Sequence, residues 1–192
     1  MTFFEELELR DIREEDLDLI LQMRNQEHIR KVMFDSDIIS FTKHSEWLRS
    51  LKKSETDIAK IFYNNGKPYG MLNVNKIDNR HRTCDWGFYI GDLSAPRGMG
   101  TLLGFTALNF IFNKLYMKKV CAQVIENNNI SINFHEKFGF IQEGILRKQI
   151  FKEDSYKDIY LYGIFAEEWQ ERSVSLCKEI KTKYSISFEQ KF

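Results

Sequence analysis

The chain has 192 residues, 43% of them hydrophobic, with 28 Lys and Arg against 28 Asp and Glu. That length suits a single domain around one sizeable core, and the balanced charge carries no overall signature for nucleic acid or an anionic membrane. No apolar run approaches membrane-spanning length, the acidic start Met1-Thr2-Phe3-Phe4-Glu5-Glu6 is unlike a secretory leader, and the isolated cysteines Cys84, Cys121 and Cys177 fit a reducing, cytoplasmic setting without a metal centre.

Leu7-Glu8-Leu9-Arg10 reads as a short strand. The acidic residues from Asp11 to Asp16 then suit the positive end of a helix dipole, and Leu17, Ile20, Leu21 and Met23 predict a helix ending near Arg30. Arg24, Asn25 and His28 crowd polar groups where that helix meets the rest of the fold. A second helix is predicted after Asp35-Ser36-Asp37, with Trp47, Leu48 and Leu51 at helical spacing and His44 one turn earlier. Strands Asp57 to Tyr63 and Tyr69 to Ile77 flank Asn64-Asn65-Gly66-Lys67, whose residues tolerate the positive φ of a tight hairpin. A turn at Asp78-Asn79-Arg80-His81 continues this antiparallel meander into Cys84 to Ile90.

That third strand alternates, with Trp86, Phe88 and Ile90 on one face and Asp85, Gly87 and Tyr89 on the other. Gly87 inside it suggests a bulge or a close backbone approach, and so a place where the strand splays from its neighbour. Ala95-Pro96-Arg97-Gly98-Met99-Gly100 then leads into a long hydrophobic helix reaching Leu115. The two glycines let backbone N–H groups converge at the helix start, where unpaired donors and the dipole attract an anion, and Arg97 adds a full charge. Lys119 to Val124 is the next strand, parallel to Cys84–Ile90 through a right-handed crossover.

Asn127 to Phe140 holds a helix of about two turns, with asparagines and Ser131 as N-caps and Gly139 at its C-terminus. Ile130, Phe134 and Phe138 share one face. His135 lies on another, aimed at the space opposite the splayed strand. Gly144 to Arg147 and Tyr156 to Ile164 belong to two long strands joined by a polar loop from Lys152 to Ser155, and the run Asp158 to Phe165 offers an edge for a homodimer. Ala166 to Ile180 is a terminal helix. The domain is read as residues 1–180, with 181–192 a loose polar tail.

Arg97-Gly98-Met99-Gly100 before a helix, then Asn128-x-x-Ser131-x-x-Phe134-His135-Glu136-Lys137-x-Gly139-Phe140, then Glu143-Gly144-x-x-Arg147, resembles the GNAT superfamily of acetyl-CoA-dependent N-acetyltransferases. Ala95 stands where that family usually has Gln or Arg. The resemblance implies an α/β fold, a mixed and mostly antiparallel sheet of about seven strands, flanked by helices and splayed at its central strand. It implies acetyl-CoA as co-substrate and no metal. Pantetheine would add alongside Phe88, Tyr89 and Ile90 as a pseudo-strand, the pyrophosphate would sit on Arg97, Gly98, Met99, Gly100 and Thr101, and Asn128, Ser131 and Lys137 would complete the cofactor contacts. Transfer would be direct attack of a neutral amine on the thioester. His135 stands where many relatives carry a tyrosine general acid, and imidazole, with an ordinary pKa of about 6.5, can donate a proton near neutrality. Asp85 is the candidate base, acting through water.

Met23-Arg24-Asn25-x-x-x-Ile29-Arg30-x-x-Met33 with Phe41-x-x-His44-x-x-Trp47-Leu48 resembles the branch that acetylates the 4-amino group of a UDP-linked 4-amino-4,6-dideoxy-N-acetyl-altrosamine, a step toward pseudaminic acid on flagellin. Arg24 and His44 would then hold the nucleotide end, Arg forking onto diphosphate and imidazole stacking on uracil. Met33, Phe34, Trp86 and Tyr89 would line the sugar's apolar face. The expected partner is thus a small-molecule amine, a UDP-amino-sugar. The alternatives are a protein N-terminus of ribosomal-protein type, a polyamine, for which an acidic cluster is wanting, or a CoA-binding module without catalysis.

Overall fold

A computed structural model describes residues 3–192. Its strands are β1 (Phe3–Asp11), β2 (Ile58–Asn64), β3 (Lys67–Asp78), β4 (Thr83–Ile90), β5 (Lys119–Ile125), β6 (Ile141–Lys152), β7 (Ser155–Phe165) and β8 (Ile186–Lys191). They form one mixed sheet in the order β6-β7-β5-β4-β3-β2-β1-β8. The predicted architecture holds, with one strand more than expected.

The extra strand lies in the segment read as a loose tail. The 19-residue helix α6 (Ala166–Tyr184) buries Trp169, Leu176 and Ile180 and stops at Ser185, whose φ of 52° turns the chain back. β8 then pairs in parallel with β1, from Phe3↔Ile186 to Glu8↔Lys191. An edge strand keeps one side in water, so a polar composition does not argue against it.

β2, β3 and β4 form the antiparallel meander, and the first hairpin turns at Asn65 and Gly66 with φ of 49° and 75°. β4 is where the sheet opens. Against β3 it pairs regularly through Asn73↔Gly87, so the glycine makes no bulge there. Against β5 it pairs only from Thr83↔Lys119 to Asp85↔Cys121, whereas β5 goes on pairing with β7 as far as Ile125↔Ile159. From Trp86 onward β4 therefore keeps a free edge.

Alternation along β4 sends its side chains into two cores. Cys84, Trp86, Phe88 and Ile90 face α4 (Met99–Asn113), α5 (Asn129–Phe138) and α6; Tyr89 faces α1 (Leu17–Arg24), the one-turn α2 (Glu27–Arg30) and α3 (Phe41–Leu51) with Ile20, Met23, Leu48 and Met71. α4 is apolar on nearly every side because it is enclosed, with Leu103, Ala107, Leu108 and Ile111 fully buried.

Three expectations change. The first helix does not run unbroken to Arg30: Asn25 exchanges two bonds with the backbone of Ile39 (2.8 and 2.9 Å), and Gln26 turns extended (ψ 138°) to reach the Gly91 carbonyl at 2.7 Å. Ile130 leaves the apolar face of α5 and is 86% exposed, while Phe134 and Phe138 stack at 4.0 Å. Asp158 to Phe165 is interior, paired with β5 on one side and β6 on the other, so it offers no dimer edge.

Candidate active site

The glycine loop is built for backbone donors. Gly98 caps α4 with φ of 106°, a conformation closed to most side chains, and its carbonyl receives the N–H groups of Thr101 (2.9 Å) and Leu102 (3.0 Å). Among the described residues, the N–H groups of Gly98 and Gly100 find no backbone acceptor, which leaves free donors at the positive end of the α4 dipole. Arg97 is exposed beside them and Thr101 half-buried. Met99 is 6% exposed with its sulfur against Asn64, so only its backbone serves an anion. Upstream, the hydrogen bond from Lys67, then those from Ser94, hold the Asp92 carboxyl down to about 2 and fix the loop's approach.

The residues of α5 meet the gap from the other side. Asn128 caps the helix by accepting from Ser131 N at 3.2 Å. His135 is 6% exposed, enclosed by Trp86, Phe134, Phe140 and Tyr162 at centroid distances of 5.9, 5.5, 4.8 and 5.6 Å. Trp86 stands on β4 just past the last β4–β5 pair and Tyr162 opposite Ala122 of β5. The imidazole therefore lies between β4, just past its last pair with β5, and β7. Its chemistry differs from that expected. Nδ1 lies 2.7 Å from the Ser131 carbonyl, which can only accept, so Nδ1 carries the proton and Nε2 the lone pair. Burial pushes its pKa down to about 4, only partly offset by that hydrogen bond. Near neutrality His135 is neutral and has no ring proton to give from Nε2, which can only accept a hydrogen bond; this argues against its expected role as general acid.

Asp85 is not brought to His135. It occupies the last β4–β5 pair, faces the other side of the strand from Trp86, and binds Lys76 Nζ at 2.7 Å. Both features direct its carboxylate away from His135. Trp86 is also displaced from its expected partner: it stacks on Phe140 at 5.5 Å in the α4–α5 core, whereas Tyr89 lies in the other core, so the two cannot line one face of a sugar. Phe88 packs against Phe134 at 4.8 Å, and with Ile90 lines the free edge.

Across the sheet, Arg24, His44 and Tyr89 do come together. Burial raises the Tyr89 hydroxyl and lowers His44, and the Arg24 charge acts on both. Yet His44 is 5% exposed and already stacked on Trp47 at 5.0 Å, and Arg24 Nη2 donates to the Asp35 carbonyl at 3.1 Å. Arg24 Nη1 and His44 Nε2 are buried without a partner. Phe34 is 51% exposed on the loop that Arg24 holds; Met33 on the same loop is half-buried.

Lys152 escaped the sequence reading. It closes β6 before a turn at Glu153 and Asp154, both left-handed (φ 52° and 57°), and is only 8% exposed. Its ammonium donates to the carbonyls of Arg30 (3.4 Å) and Met33, pinning the β6–β7 hairpin onto the loop after α2. Arg30 adds bonds to the carbonyls of Asn25 (3.0 Å) and Ser36 (2.9 Å). A lysine in a polar turn reads as solvated, so no local signal marks it. A concavity of 580 Å³ between Arg10, Arg13, Lys60 and Phe192 lies at the β1 side and contains none of these residues.

Comparison with known proteins agrees with this geometry. Residues 9–161 match the acetyltransferase (GNAT) domain family. The SPbeta prophage-derived uncharacterized N-acetyltransferase YokL of Bacillus subtilis (strain 168) is 32% identical over 173 residues, 86% of this chain and 93% of that protein. The spermidine N(1)-acetyltransferase of Escherichia coli (strain K12) is 22% identical over 163 residues, 85% and 88% of the two chains. The crystal structure of spermidine N-acetyltransferase from Vibrio cholerae in complex with CoA and spermine superposes with a TM-score of 0.80 at 22% identity, covering 85% of this chain and 98% of that one. With the opened strand, the glycine loop and the family match in agreement, the chain belongs to the GNAT acetyltransferases.

Proposed function

We propose that this protein is an acetyl-CoA-dependent N-acetyltransferase of a small-molecule primary amine, with a polyamine as the substrate class. The observation that carries the reaction is the free edge of β4 from Trp86 to Ile90, which runs toward the unpaired donors of Gly98 and Gly100. Pantetheine fits that edge as an added strand, its pyrophosphate fits the loop, and the thioester then lies in the opening beside His135. Phe88 and Ile90 supply the apolar wall.

The amine attacks the thioester directly, helped by being held in place. A base of pKa about 4 is too weak to strip an ammonium of pKa near 10. The amine therefore reacts as its neutral fraction, and His135 Nε2 accepts a hydrogen bond that orients the attacking nitrogen. The proton for the departing thiolate needs another donor. Tyr162 fits: its hydroxyl is buried without a partner beside His135, and burial keeps it protonated. As the C–S bond breaks it gives its proton to the sulfur, and the proton lost by the acylated nitrogen restores the hydroxyl.

The polyamine reading is supported by the names of the spermidine acetyltransferases to which the chain is similar; nothing in them supports a UDP-amino-sugar. One observation favours a second reading. Arg24 with its unpartnered Nη1, and Lys152, put positive charge around the amine side of the opening, which favours an acceptor carrying an anionic group over a polycation. Release of free thiol from acetyl-CoA, assayed with spermidine, spermine, a UDP-linked amino sugar and an N-terminal peptide, separates these. Turnover with spermidine or spermine alone is the expected result. Turnover with the UDP-sugar alone moves the assignment to the second reading, and CoA binding without turnover on any of the four refutes the polyamine class.

A further inference from the structure

α6 and β8 lie beyond the family match at residue 161, and they build something beside the glycine loop. α6 begins against α4, with Trp169 on Phe105, and ends at the start of α4. There the Tyr184 ring rests on Gly98 so closely that a Cβ on the glycine would lie 2.5 Å from Cζ. Arg172 ties the middle of α6 to the end of α5 by donating to the Lys137 carbonyl at 2.9 Å. β8, paired along β1, fixes the chain just past Tyr184. Between α5 and the last two turns of α6 this leaves a cavity of 520 Å³, with Lys137, Lys178 and Lys183 on its walls and Tyr184 shared with the loop.

The charge in this cavity is one-sided. Its one carboxylate, Glu179, is held by Arg172 at 2.6 Å, and among the described residues Lys137, Lys178 and Lys183 form no ion pair. Complementing the α6 dipole accounts for Lys183 in the last turn. It does not account for three ammonium groups around one concavity that adjoins an anion loop, none of them with a carboxylate partner among the described residues and Lys183 lying 5.7 Å from the Tyr184 ring centroid.

We propose that the C-terminal extension supplies a second anion site, continuous with the glycine loop, in which Lys178 and Lys183 with Lys137 bind the 3′-phosphate of CoA. This rests on the acetyl-CoA reading above. The chemistry of the ligand sets the spacing: the 3′-phosphate is one ribose away from the pyrophosphate, and Tyr184, resting on Gly98 with Lys183 Nζ 5.7 Å from its ring centroid, joins the two sites. The extension would thereby select CoA over its dephosphorylated precursor.

Titration calorimetry of the full chain with CoA and with 3′-dephospho-CoA tests this without turnover. The expected result is at least about tenfold tighter binding of CoA, corresponding to roughly 1.4 kcal/mol. Lys178→Glu combined with Lys183→Glu should abolish the difference between CoA and dephospho-CoA, weakening dephospho-CoA less than CoA because its pyrophosphate lies one ribose away. Lys178→Arg with Lys183→Arg should restore the difference. Both lysines are exposed, so neither change threatens the fold. Equal affinity of the unaltered protein for the two ligands overturns the proposal, as does discrimination that survives the double Glu variant. Failure to bind either ligand would overturn the acetyl-CoA reading as well; loss of discrimination alone leaves that reading standing.

Discussion

Replacing His135 with Gln is expected to remove most of one acid-linked loss of stability. In the folded chain burial among four aromatic rings holds the imidazole at about 4, against an ordinary 6.5. As pH falls below 6.5 the unfolded state takes up a proton that the folded state refuses until about 4. Stability from this group is therefore complete above pH 6.5 and is lost as pH falls toward the folded value. At 1.36 kcal/mol per pH unit the loss is about 2 kcal/mol by pH 5 and on the order of 3 kcal/mol at full extent. His44 shifts in the same direction, so the unaltered protein loses more than this in total. Urea unfolding at pH 7.5 and pH 5.0 for both proteins isolates the His135 part, because the His44 contribution cancels. The His135→Gln protein should lose about 2 kcal/mol less over that interval. Identical pH dependence would refute the burial argument, and an imidazole NMR titration midpoint above pH 6 would return His135 to candidacy as the acid.

Two further outcomes bear on the opening and its rim. Tyr162→Phe removes a hydroxyl without a partner, so stability should hold or rise, while kcat should fall by about two orders of magnitude with CoA affinity unchanged. A kcat within about twofold of the original would remove Tyr162 as the proton donor. Lys152→Met keeps the apolar stem but drops the donor to the Arg30 and Met33 carbonyls, so the α2 loop should loosen. The amine KM should rise about tenfold and unfolding free energy fall by roughly 1.5–3 kcal/mol, with the Kd for CoA constant; an unchanged amine KM would separate that loop from acceptor binding.

The parts of the fold legible in the sequence are those fixed by short-range backbone chemistry. Asn65-Gly66 specifies its hairpin through positive φ, Gly98 specifies the start of α4, and Asn128 specifies that of α5. The splay was expected from Gly87, and the strand does open near there, but for a different reason. Gly87 pairs normally with Asn73, and the opening comes from β5 following β7 away from β4. The break at Asn25 was hidden because its cause is Ile39, fourteen positions on. β8 was hidden because an edge strand needs little hydrophobicity when its neighbour supplies the hydrogen bonds.

The same distinction divides the active site. The elements proposed to hold the cofactor are glycines, a cap and a strand edge, and the backbone features of the loop and the cap are each written within a few residues. The amine half depends on a loop whose shape is set by carbonyl contacts from Arg24, Arg30 and, across 119 residues, Lys152. Arg24 and His44 were expected to meet a nucleotide, and they spend their visible bonds and stacking on the protein instead. His135 shows why residue type alone misleads: the imidazole sits where an acid is expected, but burial among four rings keeps it neutral near pH 7, with no proton on Nε2 to give. In the proposed reading the acceptor meets the α2 loop, so loosening that loop through Lys152→Met and comparing the KM of different amines tests which of them it admits.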